Sequence, residues 1–290
     1  MPDLHDSLVG TDTTHHTPHA EGLWLYYRIH LGSRALIDSF LGGHLSSLLA
    51  DITCDSGPVP WFYLRSIDEF GMHLRLRVRV PTARASTVDR LVETRVQTFL
   101  ALTARNPARP VGHLGFSRCP YAPEGHKYGG PAGVRRAERL FQTGSETALT
   151  LVPYTAAQRL HAARTHLSGL TASLPATQRV AFLHQYAWYW SHGPQGRAPG
   201  YAARLDALLR GQPPVPPAHP EPVRAALDAY VQQCRALVEE AAAAQPRTSL
   251  SYLLFQHIHL MHNRLGVTPL EEALTARALW HAATATKDSP

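Results

Sequence analysis

The sequence predicts an α+β fold: an N-terminal antiparallel sheet with packed helices, followed by a mostly α-helical C-terminal half, in one compact unit. Three observations carry this. All strand-like stretches fall within residues 22–150, apolar spacing turns helical from about Thr155 onward, and no strand–crossover helix–strand alternation runs through the chain. Hydrophobic residues make up 44% of the 290 and charged residues 17%, which supports a real core and excludes disordered, acidic-tail and coiled-coil classes.

Residues 1–21 are polar, histidine-rich and aperiodic, and are expected to form a disordered leader, as is the 286–290 tail. From Gly22 the pattern changes. Leu23 to His30 is rich in β-formers and reads as a buried strand. Ser33 is placed to cap a helix to about Ala50, whose stripe is Leu36, Ile37, Phe40, Leu41, Leu45, Leu48 and Leu49. Trp61 to Arg65 is a second strand. Met72 to Val80 is a third, with His73, Arg75, Arg77 and Arg79 on one face and Leu74, Leu76, Val78 and Val80 on the other. Asp68-Glu69-Phe70-Gly71 supplies the turn between them.

Thr87 to Ala104 reads as an amphipathic helix stopped by Asn106-Pro107, residues 111–130 as a strand pair with a loop, and Gly133 to Phe141 as a helix. Helical spacing then covers 155–170, 176–191, 200–210, 222–244, 248–265 and 269–284, with a stiff proline-rich loop at 212–217. The predicted globular unit is 22–285, β-rich over 22–150 and helical over 151–285.

Net charge is +6 with histidine neutral, and the basic residues are scattered, so direct nucleic-acid binding is not expected. Cys54, Cys119 and Cys234 lie far apart, which argues against a disulfide framework or a zinc knuckle. No segment approaches the ~20 apolar residues of a membrane span, and no secretory signal pattern opens the chain, so a cytoplasmic location is expected. Dinucleotide, P-loop, nucleophile-elbow and HExxH motifs are missing; neither cofactor nor metal is expected.

Three segments hold candidate chemistry. The face of His73, Arg75, Arg77 and Arg79 is either solvated charge or an anion site, since cations on one strand face repel unless an anion sits opposite. Tyr121 to Gly130 sets Lys127 three residues after Glu124, beside Tyr128 and paired glycines. His257 to Gly266 places His259, His262 and Asn263 at helical neighbour spacing, with Asn263 one turn on from His259 and placed to orient its ring.

Taken in order, W-F-x-x-R-x-x-D-x-x-x-x-H-L-R-L-R (Trp61–Arg77), E-x-x-K-Y-G-G (Glu124–Gly130), E-x-x-F-x-x-x-S (Glu138–Ser145) and H-x-x-x-N-R-L-G (His259–Gly266) resemble one family. It is the thiopeptide-type bacteriocin biosynthesis domain, similar to the C-terminal elimination domain of class I lantibiotic dehydratases. The strand from Trp24 and Asp38 in the following helix also fit, so the resemblance spans roughly residues 22–285.

The resemblance implies a lyase acting on a ribosomally made precursor peptide, without cofactor. A separate glutamyl-tRNA-dependent glutamyltransferase esterifies Ser or Thr, and this domain eliminates glutamate to leave dehydroalanine or dehydrobutyrine. His259, Arg75 and Lys127 are its implied catalytic residues. Arg77, Arg65, Tyr128, Glu124, His262, Asn263 and Arg264 are its implied substrate-binding residues. Lys127 stands where arginine is commoner, and Gly144 where aspartate is. The alternative within the family is a pyridine synthase, joining two dehydroalanines by a formal [4+2] aza-cycloaddition and expelling the leader peptide. Outside catalysis stands a peptide-binding scaffold of a modification complex. Retention of His259, Arg75 and a cation at 127 favours elimination. Monomer and homodimer both stay open.

Overall fold

The computed structural model describes residues 22–105, 112–192, 200–210, 219–244 and 249–285. The expected leader and tail, the Asn106-Pro107 stop and the proline-rich loop lie outside these residues. Four strands, β1 (Gly22–His30), β2 (Trp61–Asp68), β3 (Gly71–Pro81) and β4 (Gly115–Cys119), form one antiparallel sheet in the order β2-β3-β1-β4. Strict alternation in β3 sends Leu74, Leu76, Val78 and Val80 into the core. That face is covered by α1 (Arg34–Phe40) and α3 (Ala85–Ala104), with α2 (Ser46–Ser56) packed on α3. Register places His73, Arg75, Arg77 and Arg79 opposite His30, Arg28, Tyr26 and Trp24 of β1, so all eight share the other face.

Ser33 caps α1 as expected, its hydroxyl accepting from the Leu36 N–H at 3.2 Å. The helix runs on past Ala50, through a π turn at Leu41–Leu45, to end at Gly57, whose φ of 74° glycine adopts without strain. Among the described residues of the 111–130 stretch, 112–130, there is no strand pair. They hold β4 alone and a short helix, α4 (Gly125–Tyr128), because Gly125 to Gly130 closes on itself by backbone hydrogen bonds. The helix expected over Gly133–Phe141 is α5 (Pro131–Leu151), begun by proline in its first turn and continued by Gly144, Ala148 and Leu151 on the buried stripe.

The helical half contains α6 (Ala156–Thr171), α7 (Ala176–Ser191), α8 (Tyr201–Arg210), α9 (Glu221–Ala244), α10 (Leu250–Leu265) and α11 (Pro269–Ala285). α10 is central: it packs on α5, α6, α9 and β2. β2 is an edge strand, and side chains from the helices close its edge. Ser145 Oγ accepts from the Tyr63 N–H at 3.2 Å, Asn263 Oδ1 accepts from the Arg65 N–H at 2.9 Å, and Asn263 Nδ2 donates to the Arg65 carbonyl at 2.8 Å. Arg264 Nε donates to the Tyr63 carbonyl and to Ser145 Oγ. A single apolar cluster runs from Tyr27 to Ala276 through both halves. No helix among the described residues is long and apolar enough to cross a membrane.

Candidate functional site

The candidate residues fall into three neighbouring groups. The first is on the helices. His259 lies on α10 with its side chain 28% exposed, its Nδ1 2.9 Å from Glu272 Oε1 and its ring stacked on Trp190 at 4.5 Å. Glu272 is on α11 and fully buried. Its other oxygen accepts from the Tyr186 hydroxyl and lies 3.3 Å from His262 Nδ1. Burial pushes this carboxyl up, but the hydrogen bond from His259 and the His262 imidazole 3.3 Å away outweigh it and hold Glu272 below the usual carboxylate range. His262 reaches the Ala163 carbonyl with Nε2 at 3.0 Å and is fully buried.

The ring of His259 is therefore oriented by Glu272 and not by Asn263, which holds the β2 edge. Sequence reasoning missed Glu272 because Glu271-Glu272 resembles an ordinary acidic first turn. Only Glu271 behaves so, accepting from the Thr268 N–H at 2.7 Å. The available signal was helical phase: Glu272 shares a face with buried Ala276.

The second group is the seam between sheet and helices. Arg65, 6% exposed, pairs with Asp38 of α1 at 2.6 Å and donates through Nε to the Arg264 carbonyl at 3.0 Å. Asp38 also pairs with Arg159 of α6 at 3.0 Å. Arg264 is buried with its guanidinium 5.5 Å over the Phe141 ring; burial pushes its pKa down, against the pull of surrounding tyrosines. Gly144, preceding Ser145, leaves room for Tyr230: a Cβ there would lie 2.8 Å from its hydroxyl.

The third group is the sheet face. Arg77 is 9% exposed, packed on the rings of Tyr26, Phe62 and Tyr121 at 4.2, 5.2 and 5.7 Å. Among the described residues its Nε and Nη1 have no hydrogen-bond partner. The arginine face is thus not uniformly solvated: the aromatics of β1, β2 and the α4 approach roof it at Arg77. Arg75 is half-buried and its Nε lies 3.4 Å from His73 Nε2. Lys127 and Glu124 pair at 2.6 Å on the surface, as their spacing suggests. Tyr128 is buried against Phe141 and His257, and burial raises its phenol pKa.

These groups connect by packing. Phe62 touches Arg77 and Phe141, Phe141 touches Tyr128 and His257, and His257 lies two residues from His259 on α10. Among the described residues no hydrogen bond or ion pair joins His259 directly to Arg75, Arg77 or Lys127. A shallow depression of about 270 Å³, lined by Trp24, Asp89, Arg118 and Cys119 among others, lies beside β1 and β4, and His259, Arg75 and Lys127 do not line it.

The chain belongs to the family described as the lantibiotic biosynthesis dehydratase C-terminal domain, whose model matches residues 24–283. The fold is similar to that of the tRNA-dependent lantibiotic dehydratase MibB from Microbispora sp. 107891, with a TM-score of 0.66 and 21% identity over 92% of this chain. The match covers 28% of the MibB chain. It is also similar to TbtD, the pyridine synthase from thiomuracin biosynthesis (TM-score 0.62, 16% identity, 90% of this chain and 98% of that one). TsrL gives a TM-score of 0.65 at 18% identity, covering 89% of this chain and 95% of its own. No curated protein matches the chain.

Proposed function

We propose that this protein eliminates glutamate from glutamylated Ser or Thr in a ribosomally made precursor peptide, after a separate glutamyltransferase has attached it. The observation that carries this reading is the pair of buried Glu272 and partly exposed His259. Glu272 accepts from Nδ1–H, which leaves the Nε2 lone pair of His259 free as a base. His259 takes the α-proton, the Cα–H electrons form the Cα=Cβ bond, and the Cβ–O bond breaks to release glutamate through its carboxylate. Arg75 and Lys127 supply positive charge for the developing enolate and the departing anion. Arg77 and Glu124 shape the peptide-binding side, while Arg65 and Tyr128, buried and engaged within the fold, act with Asn263, Arg264 and His262 to hold α10 in place for it.

A second reading, pyridine synthesis by [4+2] aza-cycloaddition, is favoured by one feature. Lys127 is paired with Glu124, so one cation suited to glutamate is already engaged. Incubation with glutamylated peptide and, separately, with dehydrated peptide decides between them by mass spectrometry. Loss of a glutamate mass supports elimination. Loss of leader peptide plus water supports cycloaddition. Binding without a mass change leaves a scaffold role in a modification complex.

A further inference from the structure

We propose that His30, Asp68 and His73 form a binding site for a divalent transition-metal ion such as Zn²⁺, with His113 as the fourth ligand. The site lies at the end of the sheet where the β2–β3 hairpin turns. His30 and His73 are cross-strand partners on β1 and β3, and Asp68 is the last residue of β2. The sequence holds no metal motif because the three ligands come from three strands; register alone brings them together.

The donor set is two imidazoles and one carboxylate, a combination that suits zinc and other first-row ions. In a tetrahedral site with bonds near 2.05 Å, neighbouring donor atoms sit about 3.3 Å apart. His30 Nε2 is 3.2 and 3.1 Å from the two Asp68 oxygens, and His73 Nδ1 is 3.4 Å from Oδ2. Two of the three edges already have that spacing, and all three donor atoms lie within 4.8 Å of one another. His73 is fully buried and His30 is 6% exposed, so the pocket is walled by the protein and the rings are held in place. The Phe70 N–H donates to Asp68 Oδ1 at 3.0 Å, which orients the carboxylate as a second coordination sphere does.

His113 is exposed beside the three ligands, its ring 5.3 Å from that of His30 and 5.4 Å from that of Phe70. Gly115, the β4 partner of His30, makes the room for it: a Cβ at 115 would lie 2.8 Å from His113 Nε2. Two cations border the site. Arg28 lies 4.0 Å from Asp68 with its Nε donating to the Tyr26 hydroxyl, and Arg75 Nε lies 3.4 Å from His73 Nε2. An ion on His73 Nδ1 places the ring proton on Nε2, where it meets the Arg75 N–H. Occupation of the site therefore releases Arg75 from His73.

The test is a titration of the full chain with Co²⁺, read by visible absorption, followed by competition with Zn²⁺. The chain is also prepared with His5, His15, His16 and His19 replaced by Ser, so that any ion held by these N-terminal imidazoles is told apart from one held at the sheet. One ion per chain is expected, with tetrahedral-type absorption that survives the leader replacements. Asp68→Asn, which keeps size, and His73→Ala should each weaken binding by more than the about 10–100-fold typical of an outer-sphere loss. His113→Ser should weaken it and shift the spectrum. Absence of a tight ion, loss of the ion on replacing the leader histidines, or native affinity in Asp68→Asn overturns the site, and Asp68→Asn decides if His73→Ala does not fold. An unchanged spectrum in His113→Ser overturns the fourth ligand.

Discussion

Glu272→Gln separates the proposed acid–base role from packing. The amide has nearly the same volume and can meet its buried neighbours in either of two orientations. With its oxygen toward His259, the tautomer is kept, and the NH₂ faces the Tyr186 oxygen and His262 Nδ1. With its nitrogen toward His259, Nδ1 must accept and the proton moves to Nε2, where the base is needed. In both, the imidazolium formed on taking the substrate proton loses its charged partner. A charge-assisted hydrogen bond is roughly twice as strong as a neutral one, so the ground state should lose only about 1 kcal/mol. Loss of a working general base lowers the rate by about 10²–10⁴, or about 3–5 kcal/mol in the transition state. The assay is turnover of glutamylated peptide by mass spectrometry with a thermal melt alongside. A fall in kcat with KM little changed, a Tm within a few degrees of the parent and an altered pH–rate profile are expected. A variant within threefold of the parent across pH refutes the reasoning.

Other predictions follow from the same geometry. His259→Phe should abolish product while precursor peptide still binds, as seen by anisotropy of a labelled peptide; full activity would make His259 a packing residue. Arg75→Ala should lose most turnover with a folded chain by circular dichroism, because a half-buried strand cation contributes little to stability; unchanged kinetics would return it to a surface role. Asn263→Ala strips partners from the Arg65 N–H and carbonyl and should cost about 2–4 kcal/mol in urea denaturation; a midpoint unchanged from the parent contradicts the edge-closing role. Stability should fall in mild acid. Burial and Arg264 push His257 down from 6.5 to about 3, and burial with neighbouring cations pushes His166 down too, so the unfolded chain takes protons the folded one refuses. That stability is whole above pH about 6.5, and His257 alone removes about 2 kcal/mol by pH 5. Glu272, held low, adds a further loss only below the ordinary carboxylate range. Equilibrium denaturation between pH 7.5 and 5 checks this, and His257→Leu should flatten the slope.

The strands and most helices were legible because each writes its own periodicity. The alternation of β3 separates Leu74, Leu76, Val78 and Val80 from the arginines without any knowledge of the partner strands. The C-terminal helices likewise agree with their apolar spacing to within a few residues. Residues 111–130 were misread because glycines and prolines there follow no period, and only local backbone bonding decides between strand and turn.

The sequence by itself determined the fold class and marked His259, Arg75 and Lys127 as candidates, since residue type and spacing along one chain carry that information; its resemblance to known motifs pointed to the family. Tertiary structure alone decided what surrounds them. Glu272 reaches His259 from the next helix, Asn263 turns to the β2 edge, and Arg77 sinks among rings from two strands and a loop. Those partners lie far apart in sequence or in a different element, and their meeting depends on register and helix packing, which no local pattern encodes.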